Sequence, residues 1–270
     1  MNVYLHDKND LKMNVIKYIL CLIPLYIYGL YKNGILLYSR EYISFVSIFK
    51  IIYLVLLSVI AYFLTNKVLK KRVRFDLTFL SLFLIPLFVP RSINLLIYFV
   101  VMFLVLLFRR YYNVAFIIFI LSLLGKFTTV ADNVDVYAFS TWDLLWGRNI
   151  GGIGSTSIVL SVVIALVLAF INNYKYLISL SGIVCFAAFS ILFKDYSFLV
   201  NGNAILTILF IASLPDKSPV LKKYMVFYGA LIGILGFLLM KVVNPYYGMV
   251  LGVAIISIIY EYCFVKKNRK

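Results

Sequence analysis

Histidine is almost missing from this chain: His6 is the single one in 270 residues, and it stands in the N-terminal tail. A two-histidine haem site and a histidine-based zinc site are therefore out of reach. Cysteine is nearly as sparse. Cys21, Cys185 and Cys263 each lie within an apolar run, with no Cys-x-x-Cys spacing, so they read as small buried hydrophobes and not as iron–sulfur or disulfide residues. Acidic residues number 10 against 26 Lys and Arg, and none falls at the middle of an apolar run. A carboxylate proton relay, or a sodium cage of Asp and Glu, has nothing to be built from.

Charge as a whole is scarce. Only 13% of residues are charged while 64% are aliphatic, aromatic or Cys, against a charged share of about a quarter in soluble domains. This composition belongs to an integral membrane protein. The first apolar run lacks a small-residue cleavage site after it, so it is expected to stay as a span and not to be removed as a signal peptide. The net charge of +16 does not point to nucleic acid, because the basic residues sit in short turns between apolar runs and not on one face of a soluble module.

A span needs about 20 apolar residues, fewer where neighbours shelter it. Ten such stretches can be read: Met13 to Tyr31, Tyr42 to Thr65, Leu77 to Val89, Ile93 to Phe108, Asn113 to Leu124, Thr156 to Ile171, Tyr176 to Phe193, Phe198 to Leu214, Tyr224 to Val243 and Tyr246 to Phe264. The third and fifth are short enough to be half-helices buried in protein. The expected fold is an all-α integral membrane protein, one membrane domain over residues 1–270. With both termini cytoplasmic, the inner segments would hold about 17 Lys and Arg and the outer ones about 7, the bias that cytoplasmic loops show. Lys17 and Lys50 remain inside spans, within reach of a membrane surface.

The halves echo each other. Pro86 and Pro90 close the third span as Pro215 and Pro219 close the eighth, and Asn113 opens the fifth as Asn244-Pro245 opens the tenth. Two halves of five spans each would be inverted repeats, approximately residues 13–126 and 147–264, an arrangement that places a site between broken helices.

One stretch interrupts the hydrocarbon: Trp146-Gly147-Arg148-Asn149-Ile150-Gly151-Gly152-Ile153-Gly154-Ser155-Thr156-Ser157. Glycines followed by hydroxyl residues open a helix whose free N–H groups attract anions, phosphate above all. The competing reading is a flexible loop and a well-capped helix. On the expected topology the stretch faces outward, with Phe139, Trp142 and Trp146 offering aromatic walls and Arg148 a charge for a phosphate.

The residues from Gly147 to Ser157 resemble the G-N-I-P-G-S-I-G-E-T-S of the RnfD/NqrB membrane subunits of ion-translocating, flavin-carrying electron-transport complexes. Phe210 to Val220 is similar to that family's F-M-A-T-D-P-V-T-S-P-V, and Tyr228-Gly229-Ala230-Leu231-Ile232-Gly233 to its Y-G-A-L-I-G. Asp76 with Pro86, Tyr112-Asn113-Val114-Ala115, and the N-terminal His6 and Met13 also follow its pattern. The resemblance implies a ten-span subunit of two inverted halves that holds FMN through a phosphoester to a threonine on the outer side. Thr141, in Ala138-Phe139-Ser140-Thr141, is the only threonine at the matching place. The chain departs from the family there, with Phe139 for a glycine and Trp142 next to the acceptor, and again at Leu214, where the family has aspartate.

The resulting expectation is a membrane subunit that binds FMN, or riboflavin in its place, and passes electrons to iron–sulfur and flavin subunits, with Na⁺ or H⁺ movement coupled to it. The expected binding residues are Ser140, Thr141, Arg148, Gly151, Gly152, Gly154, Ser155, Thr156 and Ser157, with Asn113 and Ser218 from the other matching segments. No residue is expected to be catalytic or to bind a metal, and the only other partner expected is the lipid bilayer. The alternatives are a small-molecule permease or vitamin-binding transport subunit on the same scaffold, and a purely structural assembly subunit.

Overall fold

A chain surrounded by hydrocarbon must satisfy its own backbone, and helices do this within one segment. The computed structural model describes residues 8–108, 113–125, 140–170, 174–214 and 218–262, and every regular element among them is helical. His6, Arg109 to Tyr112, Ala138, Phe139, Pro215 and Cys263 lie outside the described residues.

Helix α1 (Lys8–Leu30) runs through a π turn (Tyr31–Ile35) into the short α2 (Leu36–Ser39). A 3-10 turn (Phe45–Phe49) leads into α3 (Lys50–Val68), followed by α4 (Leu77–Phe88), α5 (Leu95–Leu107) and α6 (Val114–Leu124). The second half has α7 (Thr141–Trp146), α8 (Ile158–Phe170), α9 (Tyr176–Leu192) and a 3-10 turn (Tyr196–Val200). It ends with α10 (Gly202–Leu206), which passes into a π turn (Thr207–Ile211), then α11 (Lys222–Val242) and α12 (Gly248–Tyr260). Side-chain caps set several starts: Asp76, Asn94, Asn113 and Asn201 accept the amides of Phe79, Leu96, Phe116 and Ala204.

Each of the ten expected stretches contains apolar helix, but among the described residues only three segments are long and apolar enough to cross a membrane: Lys12–Ser39, Phe45–Val68 and Lys222–Val242. The other described helices are shorter, and α4 and α6, at 12 and 11 residues, are as short as the third and fifth stretches implied. Helix α4, at 12 residues, spans about 18 Å against a hydrocarbon thickness of about 30 Å. The eighth stretch is not one helix but a 3-10 turn, a five-residue helix and a π turn. Burial explains the shortness. From Leu80 to Phe88 only Phe83 is not fully buried, and from Asn201 to Ser213 every residue is buried, so protein and not lipid surrounds both.

The packing can be followed in each half of the chain in turn. In the first, α3 packs on α4 and α5, α1 on α4, and α6 on α4 and α5. In the second, α9 packs on the π turn after α10 and on α11, α8 on α10 and that turn, and α12 on the turn and on α11. Across the middle, α1 meets α8 and α6 meets α12. The Tyr228 to Gly233 segment owes its glycines to this packing. A Cβ at Gly229 would stand 2.3 Å from the Ile178 carbonyl oxygen, and one at Gly233 2.4 Å from that of Gly182, so small residues let α9 and α11 touch backbones.

Candidate functional site

The glycine-rich stretch begins where α7 stops. Ser140 and Asp143 form a reciprocal capping box at the start of α7. Gly147, at φ +105°, ends it in the left-handed conformation that suits glycine, its N–H donating to Leu144. Thr141 and Trp142 are exposed on the first turn, Trp146 on the last, and Arg148 pairs with Asp143 at 3.2 Å. Ser140, Thr141, Trp142, Trp146 and Arg148 are all exposed on or beside the six-residue α7, which makes this short helix a polar and aromatic shelf.

Beyond Asn149 the chain turns inward, and residues Gly151 to Ser157 are all buried. They form no open loop. The Ile153 and Gly154 amides donate to the carbonyls of Val89 (3.0 Å) and Leu87 (2.9 Å), binding the stretch to the end of α4. A Cβ at Gly152 would stand 2.5 Å from the Phe88 backbone, and one at Gly154 2.3 Å from the Leu87 side chain. These two glycines answer to close packing against α4.

From the other side the π turn in α1 holds the same stretch. Lys32 donates to the Asn149 carbonyl and Asn33 to the Ile153 carbonyl at 2.7 Å, so two successive side chains bracket Ile150-Gly151-Gly152. The Asn149 side chain donates to the Val200 carbonyl at 2.7 Å.

Further in, α8 and α10 start beside each other. Ser155 donates to Asn203 Oδ1 at 2.8 Å, and Asn203 in turn donates to the Tyr246 carbonyl. Ser157 accepts the Leu160 amide and caps α8. Gly202 lies so close to the Thr156 carbonyl that no side chain fits between them. Thr156 is buried, and its hydroxyl has no hydrogen-bond partner among the described residues. Such an orphan is uncommon in protein interiors.

Asn113 and Ser218 are not part of this assembly. The C-terminal end of α6 lies beside the glycine stretch, because Gly125 abuts Pro90. Asn113 opens the same 11-residue helix at its other end, about 16 Å away, and donates to Ser257 at 2.8 Å. Ser218 meets Lys175, whose Nζ donates to its carbonyl and hydroxyl oxygens, each at 2.8 Å. Lys175 follows the end of α8, the helix whose start is the glycine stretch, so this contact too belongs to the far end.

Sequence reasoning missed Lys32, Asn33 and Asn203. A signal existed for each: Lys32-Asn33-Gly34 interrupts the apolar run in which α1 ends, and Asn201-Gly202-Asn203 interrupts the eighth stretch.

The exposed shelf and the buried stretch differ in what they offer a flat, phosphate-bearing ligand. The shelf has an exposed hydroxyl at Thr141, a cation at Arg148 and two exposed indoles, the kinds of group that meet a phosphate and a flat ring. The buried stretch is filled by its own packing and leaves a ring no access to Gly152 or Gly154. A family model described as the NQR2, RnfD, RnfE family matches residues 114–262. A comparison with curated proteins gives no match.

Proposed function

Because this chain belongs to the NQR2, RnfD, RnfE family, whose members are membrane subunits of Rnf/Nqr-type complexes, we propose that it holds FMN on the Ser140–Arg148 shelf and passes electrons between partner subunits. The observation that carries this reading is the exposed Thr141, on the same short helix as the exposed Trp142 and Trp146 and followed by the exposed Arg148. Thr141 Oγ1 would carry the phosphoester, Arg148 would offset the phosphate charge, and the tryptophans would flank the ring. When bound, the flavin supplies the redox chemistry. The protein fixes its place and its electrostatic surroundings.

Gly151 to Ser157 have a different part in this reading. They anchor the shelf to α1, α4 and α10, and so hold it in register with the membrane helices. Riboflavin, which has no phosphate, would bind the same indoles without the covalent link. Two inverted halves, approximately 13–126 and 147–264, are supported by the matched packing of α1 to α6 with α8 to α12. The bias of Lys and Arg supports cytoplasmic termini and an outward shelf. Iron–sulfur and flavin subunits would be the electron partners, with Na⁺ or H⁺ movement coupled to the transfer.

Full-length protein expressed in a flavin-replete host tests the reading. In-gel flavin fluorescence after denaturation that disappears in Thr141→Ala is the expected result. Fluorescence unchanged in Thr141→Ala rejects that attachment, and flavin released on denaturation indicates non-covalent binding. A colourless protein favours the second reading, a permease or vitamin-binding transport subunit. One observation supports that alternative: the starts of α8 and α10 converge around the unpartnered Thr156 hydroxyl inside the protein.

A further inference from the structure

Arg91 lies in the turn between α4 and α5, and its Nη2 donates to the Ser47 carbonyl at 3.1 Å. The backbone N–H of Lys50 donates to the same oxygen. The guanidinium therefore sits against the first turn of α3, where Lys50 is the first residue, and the two positive charges repel each other. Both residues are half-buried. Neither forms an ion pair with a carboxylate among the described residues, and Glu41, the nearest acid in sequence, is exposed and pairs with neither.

Like charges in a partly dehydrated position are costly unless an anion lies between them. Membrane topology does not account for this pair. Asn33 binds the glycine stretch, and a Cβ at the adjacent Gly34 would stand 2.8 Å from the Ile48 carbonyl in the same 3-10 turn, so the pair lies at the end of the glycine stretch. That is the end expected to be poor in cations.

The surroundings resemble a bilayer interface. Tyr38, Phe45 and Phe49 form an edge-to-face row with centroids 5.9 and 5.8 Å apart, and Tyr38, Phe45 and Val46 are exposed. We propose that Lys50 and Arg91 bind the phosphate of an anionic phospholipid headgroup, whose chains lie along Val46 and the aromatic row. A phosphate monoanion matches two neighbouring cations, whereas a zwitterionic headgroup brings its own ammonium. This site is separate from the Thr141 shelf and does not depend on flavin.

The full-length protein is reconstituted in nanodiscs of phosphatidylcholine alone or of phosphatidylcholine with phosphatidylglycerol. Lipids retained after extraction are counted by native mass spectrometry. Retained phosphatidylglycerol, with an apparent melting temperature higher by about 3 °C or more, is the expected result. Both effects should vanish in Lys50→Gln/Arg91→Gln and persist in Lys17→Gln, which alters an exposed lysine on α1. If the double variant does not fold, Arg91→Gln alone should cut retention several-fold, and Arg91→Lys should restore it. Equal retention in wild type and in the folded glutamine variants overturns the proposal. So does an equal melting shift from inorganic phosphate in phosphatidylcholine discs, which would mark the site as one for free anions.

Discussion

Asn33 Nδ2 stands 2.7 Å from the carbonyl oxygen of Ile153, across 120 residues of sequence. Both residues are buried, so removing the amide leaves a carbonyl that water cannot reach. Asn33→Ala should cost about 1–3 kcal/mol of stability. Thermal unfolding of the purified protein would show it, together with faster proteolysis between Gly147 and Ser157.

Gly152 and Gly151 are neighbours with different constraints. A methyl at Gly152 meets the Phe88 backbone, which cannot give way, while one at Gly151 meets the Thr156 methyl at 2.9 Å. Gly152→Ala should therefore destabilise by about 1–3 kcal/mol, and Gly151→Ala by less. Equal melting temperatures for the two variants would contradict the packing described for the stretch.

Lys32 donates to the Asn149 carbonyl but has no carboxylate partner among the described residues. Lys32→Gln keeps a donor and removes the charge, so it should leave the melting temperature unchanged or raise it. Lys32→Ala removes the donor as well and should lower it. A loss in Lys32→Gln as large as in Lys32→Ala would mean that the charge itself stabilises the fold.

Asn203 accepts from Ser155 and donates to Tyr246, joining the glycine stretch to the chain before α12. Asn203→Asp keeps the acceptor but places a carboxylate against a carbonyl, and should cost more than about 2 kcal/mol. Asn203→Ser, which retains a smaller polar group, should cost less. Differential scanning of the two variants in detergent checks the order.

Tyr174, in the turn before α9, is the pH-sensitive group of the far end. Burial pushes its phenol up to about 12, offset in part by hydrogen bonds with Ser179 and Ser213, against an ordinary value of 10.0. Its folded-state value is raised, so its contribution is complete below pH 10 and is lost as pH rises through 12. Unfolding measured between pH 8 and 11 should be less alkali-sensitive in Tyr174→Phe than in wild type.

The sequence by itself determined the membrane class, the positions of the ten apolar stretches and the family, because hydropathy and local motifs are read along the chain. It also placed Thr141 and Arg148 close together, because they are only seven residues apart and both are exposed beside α7. Tertiary structure decided what the glycines do. Whether Gly152 leaves room for a ligand or for Phe88 depends on a contact 64 residues away, and no local pattern records it. It also divided the eighth stretch, where Asn201 caps the start of α10 and gives its side-chain amide to the Pro245 carbonyl, so that the segment does not run as one rod. Asn113 and Ser218 parted from the glycine stretch for the same reason: helix length and direction, not sequence likeness, set which end of the bundle a residue occupies.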